Sequence, residues 1–343
     1  MSAYVPTAAI FRIRPLSMVP AALAVVVIIA VAVSPDPYLH VTVARMLPLA
    51  LLAVSVAVVT GHAGLPTLAH VAPYAAGAYL TARLALTGID VTIVHLLCAA
   101  ALGAVVAGLV GAVLVRYRGS VFLMLSLAAA ELTAITAGQW RAVSGGTDGL
   151  AGIPAPRLLP GQAPLLGDRT VLLYASTIMV AATAVAVWLL GGQRRLLLTA
   201  ARSNEHRARA SGHPVHAYLW TVHTAAGGLA GIAGALLIHT HRWITPADVG
   251  FSTAALALLA VIIGGAQSLP GAAVGAVIVL TGRDIVAADF PGHAPLLLGG
   301  LFVAAVYLLP GGLTALPGRL RRPRRSRIRP ASEVTEPAVG SVP

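Results

Sequence analysis

The chain has 343 residues, 58% hydrophobic and 10% charged, with a formal net charge of +12. Soluble domains carry about 25% charged residues, so this composition excludes a water-soluble globular protein and leaves a polytopic membrane protein. All 23 basic residues are arginine, and a chain without lysine can build neither a phosphate-binding P-loop nor a Schiff-base centre.

A membrane helix needs about 20 apolar residues, fewer where it is broken or supported by neighbours. In chain order, apolar runs predict spans at 18–33, 41–60, 71–86, 92–115, 121–138, 170–190, 217–239, 251–264, 271–282 and 294–309. The fold class is therefore all-α and polytopic, with about ten transmembrane helices (range 8–10). The eighth and ninth runs are short and are read as half-helices or a re-entrant pair. Arg12 and Arg14 precede the first run, and AVS and a proline-rich turn follow it. That is a signal-like pattern, read here as an uncleaved first helix after a cytoplasmic segment, 1–17.

With the N-terminus inside, sixteen arginines fall on the cytoplasmic side and five outside, as the positive-inside rule requires. Arg45 and Arg83 lie near the outer ends of spans, where they can snorkel. A membrane domain over 18–309 then carries an extracytoplasmic loop at 139–169 and a cytoplasmic loop at 191–216. A basic, proline-rich tail at 310–343 is read as disordered and cytoplasmic. Its arginines fit anionic lipid of the bilayer, and no nucleic-acid partner is expected.

Several residues interrupt the apolar pattern. Gly61, Gly64 and Pro66 follow the second run. They mark either a broken helix whose free backbone groups meet a zwitterionic substrate or a tight turn at the cytoplasmic face, the simpler reading. GAQSLPG at 265–271 has a similar pattern. Glu131 lies well inside the fifth run, where a carboxylate costs a few kcal/mol and needs a cavity or a partner, or is protonated and bonded to backbone. In SGGTDGLAGIP, 144–154, the glycines permit tight turns. Asp148 either holds such a turn or serves an outer gate. His62, His70 and His223 are read as packed, hydrogen-bonded histidines. Gly227, Gly228, Gly231 and Gly234 form a small face for helix packing. Cys98 is the sole cysteine, so no internal disulfide or cysteine metal set exists. No metal site and no catalytic constellation is present.

RSNEHRARASGH, 202–213, is the most polar stretch between two apolar runs. It reads as a short helix that Gly212 closes and Pro214 prevents from continuing. Such a helix suits docking to a soluble partner, and it also suits a plain solvated loop.

Four stretches together resemble one family, the LivM-type permeases of branched-chain amino acid ABC importers. The first is 202–212, similar to R-E-N-E-x-x-A-R-A-L-G through Arg202, Asn204, Glu205, Ala208, Arg209, Ala210 and Gly212, with Ser203, His206, Arg207 and Ser211 as departures. GHAGLPTLAHVAPYAAGAYLTA, 61–82, keeps His70, Gly77, Ala78 and Tyr79 in register. RYRGSVFLMLSLAAAELTAI, 116–135, and SGGTDGLAGIP complete the set. The resemblance covers about residues 40–310.

It implies a type II ABC importer architecture in the bacterial inner membrane, with both termini cytoplasmic. Arg202, Asn204, Glu205, Ala208, Arg209 and Gly212 would couple to an ATPase. Gly61, Gly64, Pro66, His70, Glu131, Gly145, Gly146, Asp148 and Gly149 would line the path or its gate. The implied partners are a second permease, two ABC ATPases that bind ATP and Mg, and an extracytoplasmic solute-binding protein. This chain itself would hold no cofactor and would not be an enzyme. Branched-chain amino acids are the default cargo, with urea, short amides or sugars as alternatives. An ion- or proton-coupled carrier is the rival from another class, and it would need a set of ionisable residues within the membrane.

Overall fold

The structure is a computed structural model that describes residues 29–159, 161–191 and 193–289, with isolated positions 299, 300, 303 and 312. Residues 1–17, the 310–343 tail apart from 312 and nearly all of the tenth expected span lie outside the described residues, as does the first expected span up to residue 28. The other eight expected runs are helices. They are α1 (Pro37–Ala57), α2 (Val71–Leu86), α3 (Thr92–Leu114), α4 (Gly119–Gln139), α6 (Asp168–Leu189), α9 (Val215–His241), α10 (Phe251–Gly264) and α11 (Leu269–Asp289). Three short helices lie between them: α5 (Arg141–Ser144), α7 (Gln193–Ser203) and α8 (Glu205–Ala210). Among the described residues, six helices are long and apolar enough to cross a membrane, α10 being a shorter apolar helix.

One expectation is corrected at α11. The run expected over 271–282 is a helix of 21 residues. Arg283 and Asp284 pair with each other at 2.9 Å on an exposed side, so the charges do not end the helix. The short-helix reading holds for α10 alone, at 14 residues.

α1 is the centre of the bundle. Asp36 caps it by accepting from the Tyr38 amide at 2.9 Å, and Pro37 fits the first turn, where no amide partner is needed. Leu51, Leu52, Ala53 and Val54 have no exposed surface. α1 packs against α6, α9, α10 and α11.

Small residues set the closest helix crossings, as expected where lipid removes the usual hydrophobic drive between helices. A β-carbon at Gly231 would lie 2.1 Å from the Ala99 carbonyl oxygen of α3, and one at Gly234 would lie 2.0 Å from the Tyr74 carbonyl oxygen of α2. The glycine face of α9 thus serves two neighbours at once. α10 and α11 cross in the same way, Gly264 against Gly271.

The end of the bundle formed by residues 87–91, 140–159, 161–167 and 242–250 is tied by backbone. Leu150 and Ile244 exchange hydrogen bonds of 2.9 and 3.0 Å, and the Thr92 amide bonds to the Arg157 carbonyl at 2.9 Å. Asp90 and Arg157 form an ion pair of 2.9 Å. Beneath lies a buried polar chain that sequence patterns do not reveal. Tyr174 Oη meets His239 Nδ1 at 2.9 Å, His239 Nε2 meets His95 Nδ1 at 3.0 Å, and His95 Nε2 meets the Ile89 carbonyl at 2.7 Å. It joins α6, α9 and α3 in one line.

Candidate functional site

The break after α1 begins as a π-helical turn, Val58–Ala63, and ends at Gly64 in the left-handed region with φ +74°. Residues 65–70 then run without regular structure and mostly buried, with Thr67 fully covered and His70 only 1% exposed. Gly64 itself is exposed and Pro66 half-buried, so the expected turn lies at the surface of this end of the bundle and leads into buried irregular backbone at 67–70. Backbone at that depth must find partners. The Leu65 amide bonds to the Val59 carbonyl at 3.2 Å, and the Leu68 amide donates to Ser126 Oγ of α4 at 3.2 Å. Gly61 has no room for a side chain, because a β-carbon there would collide with the Ala266 carbonyl oxygen. The two glycine and Leu-Pro stretches, 61–66 and 265–270, therefore abut.

The segment expected to couple to an ATPase, 202–213, lies at the same end of the bundle. The single short helix expected there is two helices, α7 and α8, divided at Asn204. With φ −160° this residue leaves the helical region, and its side chain accepts from the Arg207 amide at 3.0 Å as the cap of α8. Ala208 and Leu198 are buried beneath the pair. Gly212, at φ +82°, takes the left-handed position after α8, as expected.

Glu205 turns toward the membrane helices. Arg118, at the start of α4, grips it with two bonds of 2.6 and 2.9 Å, and Arg209 adds a third of 2.5 Å from one turn on. The bonded Arg118 guanidinium holds the Glu205 carboxyl below the ordinary carboxylate range; burial opposes this and Arg209 adds to it. Arg118 also donates to the Val115 carbonyl at 3.0 Å, closing the end of α3. On the other helix, Arg202 reaches the Gly61 carbonyl in the break. Ser203, His206 and Arg207 remain exposed on the outside of the segment. Sequence reasoning did not single out Arg118, although the RYRG stretch that contains it was the available signal.

The expected path residues fall in three places. Gly61, Gly64, Pro66 and His70 cluster in the break. Glu131 is exposed on α4 and makes no side-chain hydrogen bond among the described residues. Backbone bonding therefore does not satisfy its carboxyl. Gly145, Gly146, Asp148 and Gly149 lie at the opposite end. Asp148 is exposed and does not hold its turn, which corrects that expectation. Ser144 does so, donating to the Trp140 carbonyl at 2.8 Å and accepting from the Gly146 amide at 3.1 Å. Arg83 clamps the same loop through the Val143 and Ala142 carbonyls at 2.7 and 2.5 Å rather than snorkelling free. A β-carbon at Gly149, itself at φ +74°, would meet the Ile244 carbonyl oxygen.

The histidines are packed, but two are not hydrogen-bonded as expected. His70 and His223 stand edge to face with ring centroids 4.7 Å apart, and neither nitrogen of His70 has a partner among the described residues. Those residues contain no cluster of three groups able to hold a metal.

Known proteins are similar in sequence over most of the chain. The family described as branched-chain amino acid transport system / permease component matches residues 38–307. The high-affinity branched-chain amino acid transport system permease protein LivM of Escherichia coli (strain K12) is 26% identical over 288 residues, covering 77% of this chain and 67% of that protein. Its namesake in Salmonella typhimurium (strain LT2) is 26% identical over 289 residues, with the same coverage of each chain. A match that spans α1 to α11 places this chain in the family of branched-chain amino acid transport system permease components.

Proposed function

We propose that this chain is the membrane permease subunit of an ABC importer for branched-chain or related amino acids. In this reading α7 and α8 face the cytoplasm and dock an ATPase subunit, which binds ATP and Mg. The opposite end, with Asp148 and its glycines, receives cargo from a solute-binding protein. A second permease completes the path beside α4, where the exposed Glu131 carboxylate needs a polar neighbour rather than lipid. Both termini lie in the cytoplasm of a bacterial cell, beneath its inner membrane.

The observation that carries this reading is the position of the polar segment. It stands at the end of the bundle where the helix break lies, with one side exposed and the other fastened to the break. A partner pressing on the exposed side can therefore bias the bundle between two arrangements, which is what an externally powered importer requires.

The test is purification of a tagged copy from native membranes, followed by uptake in proteoliposomes with and without ATP. Recovery of an ATPase, with leucine uptake that needs ATP and a binding protein, is the expected result. Uptake by this chain alone, driven by an ion gradient, would overturn it. The buried His70–His223 pair is the feature on which such a carrier would draw.

A further inference from the structure

Three polar contacts at the coupling end, with the chain that joins α7 to α8, close into a ring. Arg118 at the head of α4 binds Glu205 of α8. About two turns along α4, Ser126 accepts from the Leu68 amide in the break. The break offers the Gly61 carbonyl to Arg202 of α7. α7 leads back to α8 through Asn204. Each membrane element in the ring therefore has its own tie to the segment, α4 through an ion pair and the break through a carbonyl.

The residues that the motif marks as coupling residues use their polar groups inward. Arg202 and Glu205 are engaged with the bundle, and Asn204 caps its own helix. The side open to a partner presents Ser203, His206 and Arg207, with exposed parts of Arg202, Asn204 and Arg209 beside them. The carbonyl at Gly61 is available because the π-helical turn and the left-handed Gly64 interrupt the regular ladder.

Resting on the permease reading above, we propose that Arg118 is a positioning residue for transport. Movement of α7–α8 reaches α4 through the Arg118–Glu205 pair and reaches the break separately through Arg202 on the Gly61 carbonyl. Arg118 thereby shifts α4, and with it Glu131, roughly 20 Å further along the helix at 1.5 Å per residue. Losing one tie leaves the segment docked but its motion only partly delivered.

The experiment uses the complete importer in proteoliposomes and reads three quantities: assembled complex, ATP hydrolysed, and leucine transported per ATP. In Arg118→Glu the transport per ATP is expected to fall about tenfold, within the range of ordinary coupling energies, while hydrolysis continues. The exchanged pair Arg118→Glu with Glu205→Arg should restore the ratio to within about twofold of the original, a recovery that coupling through the pair requires. Arg118→Lys keeps the charge but loses the two-pronged grip, and should fall between them. A merely structural role would lower complex and transport together with the ratio unchanged, and that result overturns the proposal. So does a normal ratio in the folded Arg118→Lys and Arg118→Glu proteins, or a failure of the exchanged pair to recover when its complex assembles. If the unaltered importer shows no ATP-dependent uptake, the permease reading itself fails, and this proposal falls with it.

Discussion

At the far end of the bundle, α3, α6 and α9 are joined by neutral hydrogen bonds among Tyr174, His239 and His95, which are 8%, 2% and 1% exposed. At the coupling end, α7 and α8 are joined to α4 by an ion pair whose partners are 33% and 20% exposed. The difference decides which end can move. A buried hydrogen bond is costly to break, because the abandoned group loses about 1–3 kcal/mol with no water to receive it. An ion pair open to water exchanges partners at little cost, about 0–1 kcal/mol. The far half is closed further by glycine contacts between α9 and its neighbours, whereas the coupling half contains the broken backbone. A bundle with one stiff half and one adjustable half is suited to pivot.

The largest expected effect breaks the stiff half. Gly231→Leu puts a side chain against the backbone of Ala99 and Gly103, which no rotamer can relieve. Most of the folded protein should be lost when detergent extracts are analysed by size exclusion. Extraction at ordinary yield would mean that the α3–α9 crossing is loose after all.

Next, Gly64→Ala tests the adjustable half. The left-handed conformation costs an L-residue about 1–2 kcal/mol, and the new β-carbon would press on the Arg202 side chain at 2.9 Å. The protein should still assemble, with transport reduced more than yield. A fall in yield as large as that of Gly231→Leu would remove the contrast between the two halves.

Tyr174→Phe removes one bond of the buried chain and leaves His239 Nδ1 unpaired, an expected loss of about 1 kcal/mol. A thermal melt in detergent reads it directly, and an unchanged melting temperature would show that the chain does not hold α6.

The smallest effect concerns pH. Glu205 has a folded-state value below the ordinary carboxylate range, so its contribution is fully present above that range. It is lost only as pH falls through the depressed value. Hydrogen exchange in residues 193–213 should therefore be insensitive to this group from neutral pH down to the ordinary range. In Arg118→Gln the loss should begin at higher pH, and an identical profile would argue against the pair.

The spans were legible because hydropathy needs no knowledge of neighbours. The α2 and α10 boundaries agree with the expected 71–86 and 251–264, since Thr87–Gly88 and Gly250 or Gly265 punctuate them. α11 was underestimated because a charged pair reads as an end when its two charges can instead answer each other. The course of the break was not legible: Gly64 and Pro66 announce irregular backbone, but only packing against Ser126 and Ala266 shows that it turns inward at 67–70. Ser144 and Asp148 show the same limit. Both can hold a turn, and the fold alone decides which one faces the carbonyls. The cap at Asn204 follows a familiar local pattern, yet the helix-forming residues on both sides conceal the division. Nothing local could reveal the chain of His95, Tyr174 and His239, whose members come from three separate helices.

That chain also has a direction. The Ile89 carbonyl can only accept, so His95 must carry its proton on Nε2 and present a lone pair at Nδ1. His239 must then donate from Nε2, which leaves its Nδ1 as the acceptor for the Tyr174 hydroxyl. Both imidazoles are fixed as the same tautomer by one oxygen at the end of the line. All three bonds point the same way, from α6 toward the loop after α2, and each polarises the next. A further proton on either ring would have to occupy a nitrogen already accepting a bond. The far end of the bundle is thus wired as a one-way row with no vacant seat.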